Sequence, residues 1–305
     1  MIKVSYIKSG ERRYNIERCL ALIKTEITKG LKEAKRVVIK PNCCVNNSSL
    51  AITKAEALDA LLNFVMPHVK KQVIVAEGTL NGDTMETFKN LGYLKLQAMY
   101  DFALVDLNQD ETTNIELLNR SGQKELIPIA QTLAQSDYII SIGPPKTDMN
   151  FVFSGTIKNA TIGSLVKQTD FYQRFSLGKI GKALHLPPNF RVPIDTDSPF
   201  LHQNLKTLFE KLQIKLAVID GFEAMQGDGP VNGELASTHF AIASTNPIAA
   251  DGLACNCLDI NMSDIEYLDS LPLDKNSVFI VGDDWGKYIT TVKKPSNFDK
   301  IRQKK

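Results

Sequence analysis

The chain has 305 residues, of which 43% are hydrophobic, 23% charged and 8% aromatic. This composition is typical of a folded globular protein and excludes a disordered, collagen-like or coiled-coil chain. A net charge of +2, from 36 basic and 34 acidic residues, gives no global attraction to nucleic acid or to membranes. No apolar run approaches the roughly 18–20 residues that span a bilayer, and no signal peptide is evident, so we expect a cytoplasmic protein.

Predicted strands and helices alternate along most of the chain. Short apolar runs rich in β-branched residues predict strands at 1–7, 36–39, 72–76, 103–106, 136–142, 215–219, 240–243 and 277–281. Helical periodicity predicts helices at 16–31, 54–65, 83–91, 94–100, 156–166, 201–212 and 248–258. This alternation predicts an α/β fold, with a mainly parallel sheet covered by helices on both faces, in a single compact unit.

The predicted unit spans residues 1–290 and contains one irregular, proline-containing excursion at 172–199. Residues 291–305 form a basic tail, which we expect to be frayed. Of the four histidines, His185 lies in the excursion and is the best candidate for a functional imidazole. The histidines lack metal-binding spacing, so no metal site is predicted.

The five cysteines have no spacing that indicates a zinc site or a ferredoxin-like cluster; they are Cys19, Cys43, Cys44, Cys255 and Cys257. In a cytoplasmic chain such a sparse set indicates reduced, mostly structural thiols. We therefore expect no iron–sulfur cluster within this chain, and its cofactor, if it has one, is unknown.

Polar residues follow the predicted strands where each strand ends. They include Lys40, Asn42, Glu77, Lys146, Asp148, Asp220 and Glu223. In an open parallel sheet, ligands bind outside the carboxyl ends of the strands. The sequence therefore predicts one site along this edge. The alternative is that the strand ends are simply where solvent begins.

A glycine-rich segment, 224–233, contains Gly227, Gly229 and Gly233 around Pro230. Glycine allows positive φ, so the N–H groups of such a segment can converge on an anion. The segment matches neither the dinucleotide fingerprint nor the Walker loop. It predicts either an anion-binding nest or a tight loop without a ligand.

Lys158 and Asn159 lie near the start of the predicted helix at 156–166, which Ser154 or Thr156 can cap. The helix dipole disfavours a cation near the N-terminus of a helix. The position of Lys158 therefore indicates either a nearby anionic ligand or a depressed pKa, and the alternative is an ordinary exposed helical lysine.

Taken together, these motifs resemble domain of unknown function family 362 over about residues 36–260. The resemblance rests on Lys40-Pro41-Asn42, Glu77-Gly78, Pro145-Lys146-Thr147, Lys158-Asn159, the pattern D-G-x-x-x-M-x-G-x-G-P-x-x-G from Asp220, and N-P-x-A-A-D ending at Asp251. Members are often called iron–sulfur proteins, but this chain lacks their ferredoxin-like cysteine module. Members commonly have histidine after the Lys-Thr pair, where this chain has Asp148.

A more distant resemblance is to nickel-pincer lactate racemase, in which a histidine precedes the cofactor-tethering lysine by ten residues. This resemblance implies that Lys158 stands at the tethering lysine and that Asp148 replaces the histidine. A carboxylate can still act as a general base, so proton abstraction next to a carbonyl remains compatible with the sequence. The implied nickel cofactor does not carry over with the histidine missing.

Two functions remain open. In the first, the chain is an enzyme acting on a small anionic metabolite by isomerase-like, lyase-like or redox-assisting chemistry. Proton transfer would then involve Asp148, Lys158, Glu77 and Glu223, with the ligand or cofactor bound by Lys40, Asn42, Lys146, Asn159, Asp220, Gly227, Gly229 and Gly233. In the second, the same edge is a non-catalytic carrier of a ligand, cofactor or metal.

Contacts at the site can discriminate between the two functions. An acid–base pair in contact favours the enzyme, whereas carboxylates that are all held in salt bridges favour the carrier. The expected partner is a small anion and neither nucleic acid nor membrane. A homodimer or a separate redox partner is left open.

Overall fold

The computed structural model describes residues 1–45, 50–80, 82–166 and 198–302. His185 and nearly all of the excursion at 172–199 lie outside the described residues. Within the described ranges, no helix combines the length and the apolar character needed to cross a membrane.

The described part of the chain contains twelve strands between residues 2 and 282. They are β1 (Ile2–Lys8), β2 (Val37–Lys40), β3 (Val73–Glu77), β4 (Phe102–Asp106), β5 (Thr112–Leu118), β6 (Lys124–Ala130), β7 (Tyr138–Gly143), β8 (Lys146–Asp148), β9 (Val152–Ser154), β10 (Ile214–Gln226), β11 (Glu234–Ser244) and β12 (Val278–Gly282).

Helices connect most of these strands. They are α1 (Arg12–Leu22), α2 (Lys24–Glu33), α3 (Ala55–Val65), α4 (Thr84–Asn90), α5 (Tyr93–Gln97), α6 (Gln131–Ala134), α7 (Thr156–Ile162), α8 (Leu201–Lys211), α9 (Pro247–Cys257), α10 (Glu266–Asp269) and α11 (Phe298–Arg302). Short 3₁₀ turns occur at Met66–His68, Met262–Asp264, Lys275–Ser277 and Trp285–Tyr288.

The main sheet has the strand order β12-β1-β11-β10-β7-β2-β3-β4. Strand β11 is antiparallel to both of its neighbours, β1 and β10. Every other neighbouring pair in this order is parallel. The prediction of an α/β fold with a mainly parallel sheet is therefore confirmed.

Helices cover both faces of this sheet because alternate strand residues point to opposite sides. In β2, Val37 and Ile39 pack into the core beneath α1, α2 and α3. Val38 points the other way, into a core that includes Ala160 of α7. A larger core on that second side joins α7, α8 and α9 to the sheet. Parallel strands buried on both faces explain why their sequences are continuous apolar runs.

Two predicted helices end differently in the structure. The helix expected at 16–31 is broken at Ile23, where ψ is 24° and the chain leaves the helical conformation between α1 and α2. The helix expected at 156–166 ends at Ile162, because Gly163 follows as its C-cap residue.

The largest errors of the sequence analysis concern antiparallel pairing. Strands β5 and β6 form a two-stranded sheet that was not predicted, although β5 shows the alternating burial expected of a half-exposed strand. The strand predicted at 215–219 continues to Gln226, so Asp220 and Glu223 lie inside β10 and not in a loop after it. The pairing of β10 with β11 shifts register between Gly221 and Glu223, which is a bulge.

The basic segment after residue 290 packs against the turn between β10 and β11. The carbonyl oxygen of Lys293 accepts a hydrogen bond from the Gly227 amide at 2.8 Å. The Ser296 amide donates to the Asp228 carboxylate at 2.7 Å, and Val292 is buried. Residues 292–296 are therefore held against the fold, and the expectation of a frayed tail is wrong for them.

Candidate functional site

A buried ion pair joins the carboxyl ends of β2 and β3. Lys40 Nζ lies 2.5 Å from Glu77 Oε1, and both side chains are almost fully buried. Glu77 also accepts hydrogen bonds from the amides of Cys43 and Gly78, each at 2.8 Å. The carboxylate is thus held by one cation and two backbone donors.

Asn159 extends this pair to β7 and α7. Its amide nitrogen donates to the Lys40 carbonyl oxygen and to Ser141 Oγ, each at 3.0 Å. Its oxygen lies 3.4 Å from Lys40 Nζ, which also donates to the Pro41 carbonyl oxygen at 3.1 Å. The structure therefore brings Lys40, Glu77 and Asn159 together, with their polar atoms bonded to one another and to the backbone.

Lys146 is a second buried lysine at this edge, and its environment differs. Its Nζ donates to the Ala51 carbonyl oxygen at 3.1 Å. With its amide oriented to satisfy both neighbours, Asn42 accepts from Lys146 Nζ at 2.8 Å and donates to the Ala51 oxygen at 3.1 Å. Within the described residues no carboxylate forms an ion pair with Lys146. Burial lowers the pKa of Lys146; Cys44, Asp148 and Glu77 oppose this shift, and Lys158 adds to it.

Asp148 and Lys158 form the third group. Lys158 Nζ lies 2.5 Å from Asp148 Oδ2; Asp148 is fully buried, and about an eighth of the Lys158 side chain (12%) is exposed. Asp148 Oδ1 accepts from the amides of Asn150 and Phe151 at 2.8 and 3.2 Å, closing the tight turn between β8 and β9. Lys158 also lies over the Phe151 ring, 4.9 Å from its centroid.

The backbone of this turn is strained. Val152, the first residue of β9, has φ of 66°, a conformation that β-branched residues rarely adopt. Strain of this kind persists where the surrounding structure fixes it, and it is concentrated at functional sites. Lys146 and Asp148 are two residues apart in β8, so their side chains lie on the same face of this strand.

Asp220 and Glu223 form a separate group around Arg12, which the sequence analysis missed. Arg12 Nε lies 3.1 Å from Asp220 Oδ1, and its Nη2 lies 2.7 Å from Glu223 Oε2. The guanidinium also lies over the Phe222 ring, 4.7 Å from its centroid. Burial raises the pKa of Asp220, and Arg12 opposes this shift. No motif indicated Arg12, because it enters from α1, far away in the sequence.

The glycine-rich segment is the turn of the β10–β11 hairpin. The Gly227 amide donates to the Lys293 carbonyl oxygen and the Gly229 amide donates to the Gly227 carbonyl oxygen. Both amides are therefore used within the chain and are not free donors for an anion. A Cβ atom at Gly229 would lie 2.0 Å from the Thr147 carbonyl oxygen, so glycine is needed for the turn to approach β8.

Asp251 explains the N-P-x-A-A-D motif. Its carboxylate accepts hydrogen bonds from the Thr156 amide and hydroxyl at 2.9 and 2.7 Å, and from the Ile157 amide at 3.0 Å. The Thr156 and Ile157 amides lie at the N-terminus of α7, where amides have no partner within the helix and a negative charge is favourable. The anion that compensates this helix end is thus Asp251, supplied by α9, and neither Ser154 nor Thr156 acts as the cap.

We expect the Asp251 cap to give a pH-dependent contribution to stability. Burial raises its pKa to about 6, although the three hydrogen bonds oppose this shift, whereas the ordinary value is 3.8. A carboxyl group with a raised pKa in the folded state binds its proton there at higher pH than in the unfolded chain. The wild-type protein should therefore gain stability relative to Asp251→Asn as the pH falls from about 7 towards 5.

Urea denaturation of both proteins at several pH values measures this difference. Asp101→Asn is the control, because Asp101 is an exposed carboxylate directly before β4. A stability difference between wild type and Asp251→Asn that is independent of pH would contradict the raised pKa.

All five cysteines are free thiols, and all but Cys44 are buried. The described ranges hold no group of three or more histidine, cysteine, aspartate or glutamate side chains placed to bind a metal. Burial raises the pKa of the Cys43 thiol well above its ordinary value, and Glu77 raises it further. A high pKa keeps this thiol protonated and disfavours it as a metal ligand.

The fold and the site define an α/β protein with buried lysines at the carboxyl edge of a mainly parallel sheet. The sequence model of the family described as domain of unknown function DUF362 matches residues 37–256, and the chain belongs to this family. The match confirms the resemblance drawn from the motifs. No curated protein matches the sequence.

Among solved structures, the chain is similar to the lactate racemase apoprotein from Thermoanaerobacterium thermosaccharolyticum. The sequence identity is 16% and the TM-score is 0.47. The similarity covers 81% of this chain and 54% of that chain, so this chain spans about half the length of that protein.

Proposed function

We propose that this chain binds a small anionic metabolite at the carboxyl edge of its sheet, with Lys146 as the principal cation. The observation that carries the proposal is the state of Lys146, a buried ammonium group that no described carboxylate neutralises. Burying a charge is costly unless it is paired, so buried lysines normally have a counter-ion. A bound anion would supply it.

The charges around Lys146 support an anion at this position. Lys146 and Asp148 share one face of β8, and Lys158 pairs with Asp148. Two lysines and one carboxylate leave one net positive charge when both lysines are protonated. Lys158 is the partly exposed member of the three and therefore the one that an entering ligand meets first.

The other buried cations at this edge are already neutralised. Lys40 is paired with Glu77, and Arg12 with Asp220 and Glu223. These groups would therefore maintain the shape of the edge, and the ligand charge would go to Lys146. On this proposal, residues that the sequence placed in one binding set have different tasks.

A catalytic function has one observation in its favour, the contact between Lys158 and Asp148. An amine and a carboxylate in contact can pass a proton between them, and such a pair beside a bound anion suits isomerase-like or lyase-like chemistry. Glu77 and Glu223 are held in ion pairs, as Asp148 is, and a site whose carboxylates are all paired favours the carrier. The Lys158–Asp148 pair differs from the Lys40–Glu77 pair because its lysine is partly exposed. The enzyme proposal therefore rests on Lys158 as the proton-transferring group and on Asp148 as the residue that positions it.

Substitution of Lys146 tests the binding proposal. Lys146→Met keeps much of the apolar stem and removes the charge, so acetate and inorganic phosphate should bind at least tenfold more weakly than to wild type. The fold should be retained, because the substitution removes a buried unpaired charge and Asn42 still donates to the Ala51 carbonyl oxygen. Calorimetric titration at low ionic strength measures the affinities.

Lys124→Met is the matched control, since Lys124 is an exposed lysine on β6, away from the sheet edge. It should bind both anions as wild type does. Equal affinity in Lys146→Met and wild type would refute the proposal that Lys146 holds the anion.

A further inference from the structure

We infer that the ligand at Lys146 is a monoanion with a short apolar substituent, such as an aliphatic monocarboxylate, and not a polyanion. The inference rests on the proposed function and narrows its ligand class. It is drawn from a small apolar cluster that adjoins Lys146 and is separate from the larger cores that the described residues form.

The cluster has a buried base and a partly exposed surface. Its buried members are Val45, Ala51 and Met225. Its partly exposed members are Cys44, Leu50, Leu80 and Val231. These four residues present partly exposed apolar side chains, and we call them the wall.

Direct contacts join Lys146 to the buried base of this cluster. Ala51 supplies the carbonyl oxygen that Lys146 Nζ bonds at 3.1 Å. Met225 is the residue paired with Lys146 across β10 and β8. Two members of the cluster thus adjoin Lys146, one at its tip and one at its backbone.

The exposed members of the wall are fixed by the backbone. The Leu80 amide donates to the Cys44 carbonyl oxygen at 2.9 Å, which holds the segment after β3 against the segment after β2. Val231 comes from the β10–β11 turn, which is held on β8 by the contact of Gly229 with Thr147. Three separate segments of the chain therefore meet at this wall.

Charge and wall together specify the ligand. One net positive charge from Lys146, Lys158 and Asp148 matches a single negative charge, whereas a second carboxylate or a phosphate would place excess charge against apolar side chains. An apolar substituent next to the anionic group would cover Leu80 and Val231 instead. Each methylene group buried in this way contributes about 0.8 kcal/mol, which corresponds to roughly a fourfold gain in affinity.

Titration with acetate, propanoate, butanoate and pentanoate, and with succinate and phosphate, tests the inference. Affinity should rise roughly threefold to fourfold with each of the first added methylene groups, and succinate should bind more weakly than butanoate. Leu80→Ala and Val231→Ser should reduce the butanoate affinity about threefold or more and leave the acetate affinity unchanged. Val231 lies in a turn, so its variant keeps the test open if Leu80→Ala does not fold.

Leu126→Ala is the control, because Leu126 is exposed on β6 and lies outside the cluster. It should show the wild-type dependence on chain length. Acetate binding that depends on Lys146 but does not strengthen with chain length overturns the apolar wall and leaves the proposed function intact. Tighter binding of succinate or phosphate than of butanoate also overturns it. Absence of Lys146-dependent binding by every anion overturns both.

Discussion

Glu77→Leu is expected to destabilise the protein by about 3–5 kcal/mol, the cost typical of removing one partner from a buried ion pair. Lys40 would remain almost fully buried with only carbonyl oxygens around it. The amides of Cys43 and Gly78 would also lose their acceptor. A free energy of unfolding obtained by urea denaturation measures the loss.

The double variant Lys40→Met, Glu77→Leu separates the charge from the shape of the site. It removes both charges, so it should recover a large part of the lost stability, because apolar replacement of a whole buried pair is often close to neutral. The interaction energy from the double-mutant cycle should therefore be large and favourable. A cost below about 1 kcal/mol for Glu77→Leu would show that the Lys40–Glu77 pair does not hold this edge together.

Lys158→Met should affect both folding and binding. Asp148 is fully buried, and without Lys158 its charge would be held by the Asn150 and Phe151 amides alone. We expect a loss of about 3 kcal/mol in the free energy of unfolding. If Lys158 contacts the ligand, the free energy of anion binding should also weaken by about 2–5 kcal/mol, as for other buried charged contacts.

Lys158→Arg and the double variant Lys158→Met, Asp148→Asn distinguish the two effects. The arginine keeps the ion pair with Asp148, so stability should be nearly that of wild type. The double variant removes both charges and should regain stability without regaining the affinity that depends on Lys158. If the double variant binds anions as tightly as wild type does, Lys158 does not contact the ligand and acts only as the counter-ion of Asp148.

The parallel part of the fold could be predicted because each strand is a short apolar run, buried on both faces. The runs at Val37–Lys40 and Val73–Glu77 are continuous in the sequence and need no knowledge of their neighbours. Strand β5 is half-exposed, so it alternates polar and apolar residues and lacks such a run. The extension of β10 past Asp220 was missed because the bulge at Gly221–Glu223 interrupts the apolar pattern.

The sequence predicted a candidate site at one edge of the sheet but not how its residues divide into groups. Lys40 and Glu77, at the ends of neighbouring strands, meet in the structure, and the ten-residue spacing of Asp148 and Lys158 corresponds to a contact. Which lysine is neutralised depends on partners distant in the sequence: Glu77 reaches Lys40, whereas Lys146 meets Ala51 and Asn42. Arg12 and Asp251 had no local signal for their roles, because each acts on an element far along the chain.

The glycine-rich turn illustrates a different limit. Its composition allowed either an anion nest or a tight turn, because glycine serves both. The amides of Gly227 and Gly229 are bonded to carbonyl oxygens, and Gly229 lies against Thr147. Only the packing of the turn on β8 decides between these uses, and that packing is a tertiary contact.

The central claim, that Lys146 holds the anion, is tested most directly by titrating its ammonium group. Protein carrying ¹⁵N-labelled lysine would be titrated by NMR with and without saturating butanoate, and Lys146→Met would identify the resonance.

In the free protein, burial should hold the pKa of Lys146 below its usual range. Because an anion favours the charged form, butanoate should raise this pKa. By linkage, butanoate affinity should fall as the pH rises through the free-protein value. A Lys146 pKa unchanged by saturating butanoate would contradict the account.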